Sequence, residues 1–155
     1  MVRMVDVAEK EDVKRRATAQ GELKLKPSTL STIKSGKAPK GDVLVAAEIA
    51  ALQAIKKTWE VIPHCHPIPV TFARVNLNLT KESVTAIVEV EATYKTGVEM
   101  EALYGVSIAL LTVWDMVKKF EKDKNGQYPS TKIEQIKLSL KVRGDEKNIK
   151  ASKGT

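Results

Sequence analysis

The sequence predicts one α+β domain, because segments of alternating polar and apolar residues occur together with longer segments of helical periodicity. A chain of 155 residues suits a single domain with a substantial core. Neither an internal repeat nor a low-complexity linker divides the sequence, so we expect one domain over residues 1–155. The Lys-rich end predicts a flexible tail from about residue 144.

Four segments have the character of strands. Residues 15–25 and 133–142 contain alternating polar and apolar positions. Residues 70–79 and 84–94 alternate as well and are rich in β-branched side chains. The short polar sequence at 81–83 between them is typical of a turn, so this pair predicts a hairpin.

Three segments predict helices. Pro27 can open a short helix, and Gly36 can close it as a C-terminal cap. Asp42 is a suitable N-cap for the amphipathic segment 43–59. A long helix is expected at 98–122.

The order of the main elements is β-α-β-β-α-β, which predicts a ferredoxin-like antiparallel sheet with the helices packed on one face. The other face of such a sheet needs a cover. Self-association through the sheet or the helices is therefore expected on the pattern alone.

Charge and composition restrict the class of partner. The chain has 26 basic and 19 acidic residues, a net charge of +7, which favours nucleic acid, an anionic membrane or a phosphorylated small molecule as partner. A solvated Lys/Glu surface without such a partner explains the charge as well. Aromatic residues make up 5%, which weighs against a stacking platform for single strands. No long apolar run or secretory signal is apparent, and the single cysteine predicts no internal disulfide, so we expect a cytoplasmic protein without a membrane span.

The segment 61–69 is the first candidate site. Its three prolines exclude regular helix and predict a stiff extended loop. The loop holds both histidines and the cysteine, as His64, Cys65 and His66. Three interpretations remain open: a metal site, a structural histidine under a loop, and an active-site loop in which His66 acts as acid, base or phosphate contact.

The long helix supplies further candidates. Glu99 and Glu101 lie at its start, where acidic residues stabilise the helix dipole and free amides can bind an anion. Asp115 and Lys118 follow on the same stripe, within an otherwise apolar stretch. Taken alone, these two are better explained by an ordinary surface ion pair. Lys40 lies in a basic loop before the second helix and has no special character by itself.

Five separated segments together resemble the MoaC family, in its order and approximate spacing, over about residues 4–145. They are MVDV (4–7), KGDV (40–43), IPHCHP (62–67), KTGVEMEAL (95–103) and WDMVKK (114–119). The resemblance implies a lyase of molybdenum cofactor biosynthesis. Such enzymes convert 3',8-cyclo-7,8-dihydro-GTP to cyclic pyranopterin monophosphate and release pyrophosphate.

The resemblance also implies roles for individual residues. Lys40 and Lys118 match the essential lysines of the family, Asp115 its catalytic aspartate and His66 its loop histidine. The positions that match substrate contacts are Cys65, His66, Glu99, Met100, Glu101 and Arg15, the last as a phosphate contact. His64 stands where relatives often have an apolar residue, so it inherits no role. Proton transfer would fall to Asp, to His and to a lysine with a depressed pKa.

We expect no structural zinc and no resident cofactor, although magnesium can accompany the triphosphate of the substrate. An upstream radical enzyme is the implied functional partner. The resemblance further implies a homohexamer, a trimer of dimers with interface active sites. The alternative is a non-catalytic RNA-binding domain of the same fold. A lyase should gather Lys40, His66, Asp115 and Lys118 into one pocket, whereas an RNA-binding surface should scatter them.

Overall fold

The computed structural model describes residues 1–144, and the predicted flexible tail lies outside them. The elements follow in the order β1 (Val13–Lys24), α1 (Pro27–Lys34), α2 (Val43–Val61), β2 (Val70–Leu79), β3 (Ser83–Tyr94), α3 (Glu99–Glu121) and β4 (Lys132–Arg143). Every predicted element is present, and each predicted end lies within two residues of the observed one.

The four strands form one antiparallel sheet in the order β2-β3-β1-β4. Strand β1 lies between β3, with Val13 opposite Tyr94, and β4, with Leu23 opposite Ile133. This order and the βαββαβ chain path confirm the ferredoxin-like fold. The pairing of β4 is interrupted by irregularities, and Gln135 in that strand has a φ of 59°.

Local signals explain how the helices begin and end. The Asp42 carboxylate accepts a hydrogen bond from Val45 N at 3.1 Å, as expected for an N-cap. Gly36 follows α1 with a φ of 70°, a left-handed conformation that glycine adopts without steric cost. Lys37 N then bonds to Thr32 O at 3.2 Å, so the end of α1 is closed as predicted.

The core lies between the sheet and α2 and α3. Two glycines allow α3 to approach its neighbours closely. A Cβ at Gly21 in β1 would lie 2.9 Å from Val106, and a Cβ at Gly105 in α3 would lie 2.9 Å from Ile55 in α2. Along β1 and β3, buried side chains alternate with more exposed ones, as expected for strands with one face against the core. Helix α3 is thereby held against β1, β3 and α2.

By length and composition, α3 is the one helix within residues 1–144 that could cross a membrane. Half of its most apolar stretch is buried inside the domain. The core helix of a soluble protein meets the same two criteria. Its burial against the sheet is sufficient to explain its apolar character.

The C-terminal end of α3 is tied to two other segments by a buried carboxylate. Glu121 is fully buried and accepts hydrogen bonds from Lys26 N at 3.2 Å, from the Thr131 hydroxyl at 2.8 Å and from the Thr29 hydroxyl. These bonds join α3 to the start of α1 and to the start of β4. They fix where α3 ends.

Candidate functional site

One charged cluster lies near the C-terminal end of α3. Lys118 Nζ is 2.9 Å from Asp115 Oδ1, and Lys40 Nζ is 3.1 Å from both Asp115 Oδ2 and the Asp115 carbonyl oxygen. Lys40 comes from the loop between α1 and α2, 75 residues away in the chain. We call these three residues the lysine–aspartate cluster.

The electrostatics of this cluster favour anion binding. Hydrogen bonds from Lys118 and then from Lys40 hold the pKa of Asp115 below its usual value. The hydrogen bond to Asp115 raises the pKa of Lys118. Asp115 and Lys118 are therefore both charged at neutral pH, and two lysines around one aspartate give the cluster a net positive formal charge. Asp115 remains 59% exposed, and ion pairs so exposed contribute little to folding, so the cluster is better suited to a ligand than to stability.

A second group of polar side chains lies at the N-terminal end of α3. Glu101 is only 3% exposed, and no described residue donates a hydrogen bond to its Oε2. Burial, reinforced by nearby Glu99, raises the pKa of Glu101 to about 7. The neighbouring Glu99 pairs with Lys141 of β4 at 2.7 Å, without the angles of a hydrogen bond. Cys65 completes the group, because burial, Glu101 and Glu99 together raise the pKa of its thiol. We call Cys65, Glu99 and Glu101 the acidic cluster.

The remaining predicted residues lie around the acidic cluster. His66 follows Cys65, and its Nε2 is 2.7 Å from Val5 O, so the loop is held to the N-terminal segment. Met100 is exposed on the first turn of α3. Arg15 is 9% exposed and donates through Nε to Tyr94 O at 3.3 Å and through Nη2 to Lys95 O at 3.2 Å.

The two clusters are far apart within one chain. Helix α3 is unbroken from Glu99 to Glu121, and fourteen residues separate Glu101 from Asp115. At 1.5 Å per residue the separation along the axis is about 21 Å. Within one chain Lys40, Asp115 and Lys118 converge, whereas His66 follows Cys65 of the acidic cluster. Convergence of all four on one pocket therefore stays a prediction for a site shared between two chains.

A second expectation concerns the pKa of a lysine. The sequence predicted a lysine with a depressed pKa without naming it, and the pKa of Lys118 is instead raised, by the hydrogen bond to Asp115. The carboxyl group of Glu101, in contrast, has a pKa raised to about 7. Burial of a carboxyl group at the start of a helix could not be inferred from the helix pattern, because acidic residues are common at that position on exposed helices.

The structure adds contacts that the sequence did not suggest. Lys141 pairs with Glu99, Val5 O bonds His66, and Tyr128 contacts Trp114 one turn before Lys118. All three depend on tertiary packing. For Tyr128 the one available signal was an aromatic residue placed in an otherwise polar turn. Within residues 1–144, no group of three or more His, Cys, Asp or Glu side chains is placed to hold a metal ion.

Fold and site together define a ferredoxin-like α+β protein with a cationic cluster at one end of its long helix and a buried acidic cluster at the other. The chain belongs to the MoaC family, whose model matches residues 4–144. It is 55% identical over 145 residues to a protein of Thermococcus kodakarensis named probable cyclic pyranopterin monophosphate synthase, covering 94% of this chain and 93% of the relative. A protein of Pyrococcus furiosus with the same name is 54% identical and covers 92% and 91%. A protein of Methanothermobacter thermautotrophicus, named probable cyclic pyranopterin monophosphate synthase accessory protein, is 53% identical and covers 92% and 89%.

Proposed function

We propose that this protein is the molybdenum cofactor lyase that converts 3',8-cyclo-7,8-dihydro-GTP to cyclic pyranopterin monophosphate with release of pyrophosphate. Family membership over residues 4–144 and the names of the relatives support this activity. The lysine–aspartate cluster is the structural observation that carries the proposal, because it provides two fixed cations for a triphosphate. Non-catalytic RNA binding has no comparable support.

The chemistry requires cations where pyrophosphate leaves. A sugar hydroxyl oxygen forms a bond to the α-phosphorus, and the bond from that phosphorus to the bridging oxygen breaks. Pyrophosphate departs with the electron pair, and the hydroxyl proton passes to a base. Lys40 and Lys118 can stabilise the charge that develops on the departing oxygens. Asp115 holds both ammonium groups in place and, being ionised, can accept a proton.

Rearrangement of the ring system requires proton transfer near neutral pH. Glu101 suits this role, because its pKa of about 7 allows both protonation states to be populated. Cys65 lies beside it as a protonated thiol, a hydrogen-bond donor more than a nucleophile. His66, Glu99, Met100 and Arg15 complete the substrate-binding end. No resident metal is required in this proposal, and magnesium enters with the triphosphate.

We propose that one active site combines the lysine–aspartate cluster of one chain with the acidic cluster of a neighbour. Antiparallel pairing of two α3 helices across a two-fold axis would bring opposite ends together and produce two equal sites. The exposed surface of the helices supports such pairing. Leu111 lies at the middle of α3 and is 51% exposed, and α2 presents an apolar row of Val45, Ile49, Leu52 and Trp59. Further association of three dimers would give the hexamer.

The direct test is incubation of the purified protein with 3',8-cyclo-7,8-dihydro-GTP, followed by quantification of the pterin product and of pyrophosphate. We expect both products in equal amounts. In the cell, we expect the reaction to take place in the cytoplasm, on substrate supplied by the upstream radical enzyme. Lys124→Ala serves as the matched control for alanine variants of Lys40 and Lys118, because Lys124 is an exposed lysine outside both clusters. Absence of both products with folded protein would refute the proposed activity.

A further inference from the structure

The turn between α3 and β4 brings an aromatic side chain back onto the helix. Tyr128 lies in this turn, and its ring contacts Trp114 edge to face, with the ring centroids 5.3 Å apart. The ammonium group of Lys122 lies 6.0 Å from the centroid of the same ring. Tyr128 is thus fixed from two sides, although it belongs to no helix or strand.

These two contacts place Tyr128 beside Lys118. Trp114, Lys118 and Lys122 are spaced four residues apart, and Lys122 directly follows the last residue of α3, so the three form one row at this end of the helix. The Tyr128 ring contacts both ends of this row and therefore lies next to its middle member. Tyr128 also raises the pKa of Lys118, less than Asp115 does, so the two side chains are close enough to interact electrostatically.

The turn that presents Tyr128 is held by its own hydrogen bonds. Asp123 Oδ1 accepts from Asn125 N at 2.8 Å and from Gln127 N at 3.0 Å, and Asp123 N donates to Gln127 O at 2.9 Å. Gly126 N donates back to Asp123 O at 3.0 Å, and the glycine adopts a φ of 73°. The turn is therefore a defined structure that directs its next residue, Tyr128, towards α3.

We propose that Tyr128 is a positioning residue of the lysine–aspartate cluster, which confines the Lys118 side chain between its own phenol ring and Asp115. An exposed lysine loses considerable rotamer freedom when it is held in one geometry. Asp115 restrains Lys118 from one side of the helix row, and Tyr128 restrains it from the other. The inference rests on the proposed function, in which Lys118 must meet the departing pyrophosphate from a fixed direction.

The kinetic test compares Tyr128→Phe, which keeps the ring, with Tyr128→Leu, which removes it. We expect kcat to change little in the first, because the ring that confines Lys118 remains, and to fall roughly two- to tenfold in the second, with KM little changed because the binding cations remain. Phe120→Leu is the matched control, since Phe120 carries a lysine over its ring at 5.1 Å but lies outside the row. An unchanged kcat in Tyr128→Leu, with conversion by the wild-type protein, would overturn the inference.

The second test does not depend on activity. The titration of Lys118 is followed by NMR of lysine-labelled protein, and its signal is assigned by its loss in Lys118→Arg. We expect the pKa of Lys118 to be highest in the wild-type protein, lower in Tyr128→Phe and lowest in Asp115→Asn. Identical Lys118 titrations in Tyr128→Phe, Tyr128→Leu and wild type would overturn the inference. An inactive wild-type protein with this order intact would instead refute only the proposed function.

Discussion

Glu121 closes the C-terminal end of α3 with a carboxylate that water does not reach. Replacement by alanine would remove the acceptor for three donors at once: Lys26 N, the Thr29 hydroxyl and the Thr131 hydroxyl. Each unsatisfied buried donor costs about 1–3 kcal/mol, and water entering the space left by the side chain would recover part of that cost. We therefore expect Glu121→Ala to lower the free energy of unfolding by about 3–5 kcal/mol.

Milder substitutions should each cause only part of this loss in the free energy of unfolding. Glu121→Gln keeps one accepting oxygen but directs an NH₂ group at groups that are themselves donors, so we expect an intermediate loss of about 1–3 kcal/mol. Thr131→Val removes a single hydroxyl and should cost about 1 kcal/mol. If the three donors share one acceptor, Thr131→Val should add much less to Glu121→Ala than it costs alone.

The assay is equilibrium unfolding in urea or guanidinium, with all variants at one protein concentration because association stabilises the folded state. Glu60→Ala, an exposed glutamate near the end of α2, is the control and should change stability by no more than about 0.5 kcal/mol. A loss below about 1 kcal/mol in Glu121→Ala, at unchanged dependence on denaturant, would refute this account of the end of α3.

Three further predictions concern the two clusters and metal content. Alanine at Lys40, Asp115 or Lys118 should lower product formation more than about tenfold. The circular dichroism spectrum should stay unchanged, because these exposed side chains do not fill the core. Smaller losses of activity in all three variants would contradict their assignment. In the isolated chain, folding favours the protonated form of Glu101, whose pKa rises from 4.5 to about 7. The resulting stability is complete below pH 4.5 and is lost as the pH rises through about 7. The free energy of unfolding of Glu101→Gln, measured in urea, should therefore rise relative to that of wild type by up to roughly 3 kcal/mol between pH 5 and 8. A difference independent of pH would show that Glu101 does not titrate in this range. Metal analysis of purified protein should find no stoichiometric zinc, and one tightly bound zinc per chain would contradict this.

Periodicity and capping were sufficient to predict the elements of the fold. Asp42 caps α2 and Gly36 closes α1 as the sequence indicated, because both signals act through neighbouring backbone groups. The βαββαβ order then left few ways to arrange four strands, and the observed sheet is one of them. Local signals were reliable wherever the physical cause was local.

The sites were less predictable, because their contacts join distant parts of the chain. Lys40 contacts Asp115 across 75 residues, and nothing near Lys40 in the sequence indicates this. A glutamate in the last turn of a helix is ordinarily exposed, so the burial of Glu121 depends on donors from α1 and β4. The distance between the clusters, in contrast, follows from the length of one helix and needed only the confirmation that α3 is unbroken.

The central claim is that one active site takes the acidic cluster from one chain and the lysine–aspartate cluster from another. Two inactive variants, Glu101→Ala and Lys118→Ala, would be mixed, and subunit exchange would be proved by mass spectrometry of differently labelled chains. Shared sites predict recovery of activity, because a mixed dimer has one site with both substitutions and one with neither. Recovery should approach one quarter of wild type at equal mixing, since half of the dimers are mixed. No recovery after proven exchange of folded chains would mean that each site is built within one chain.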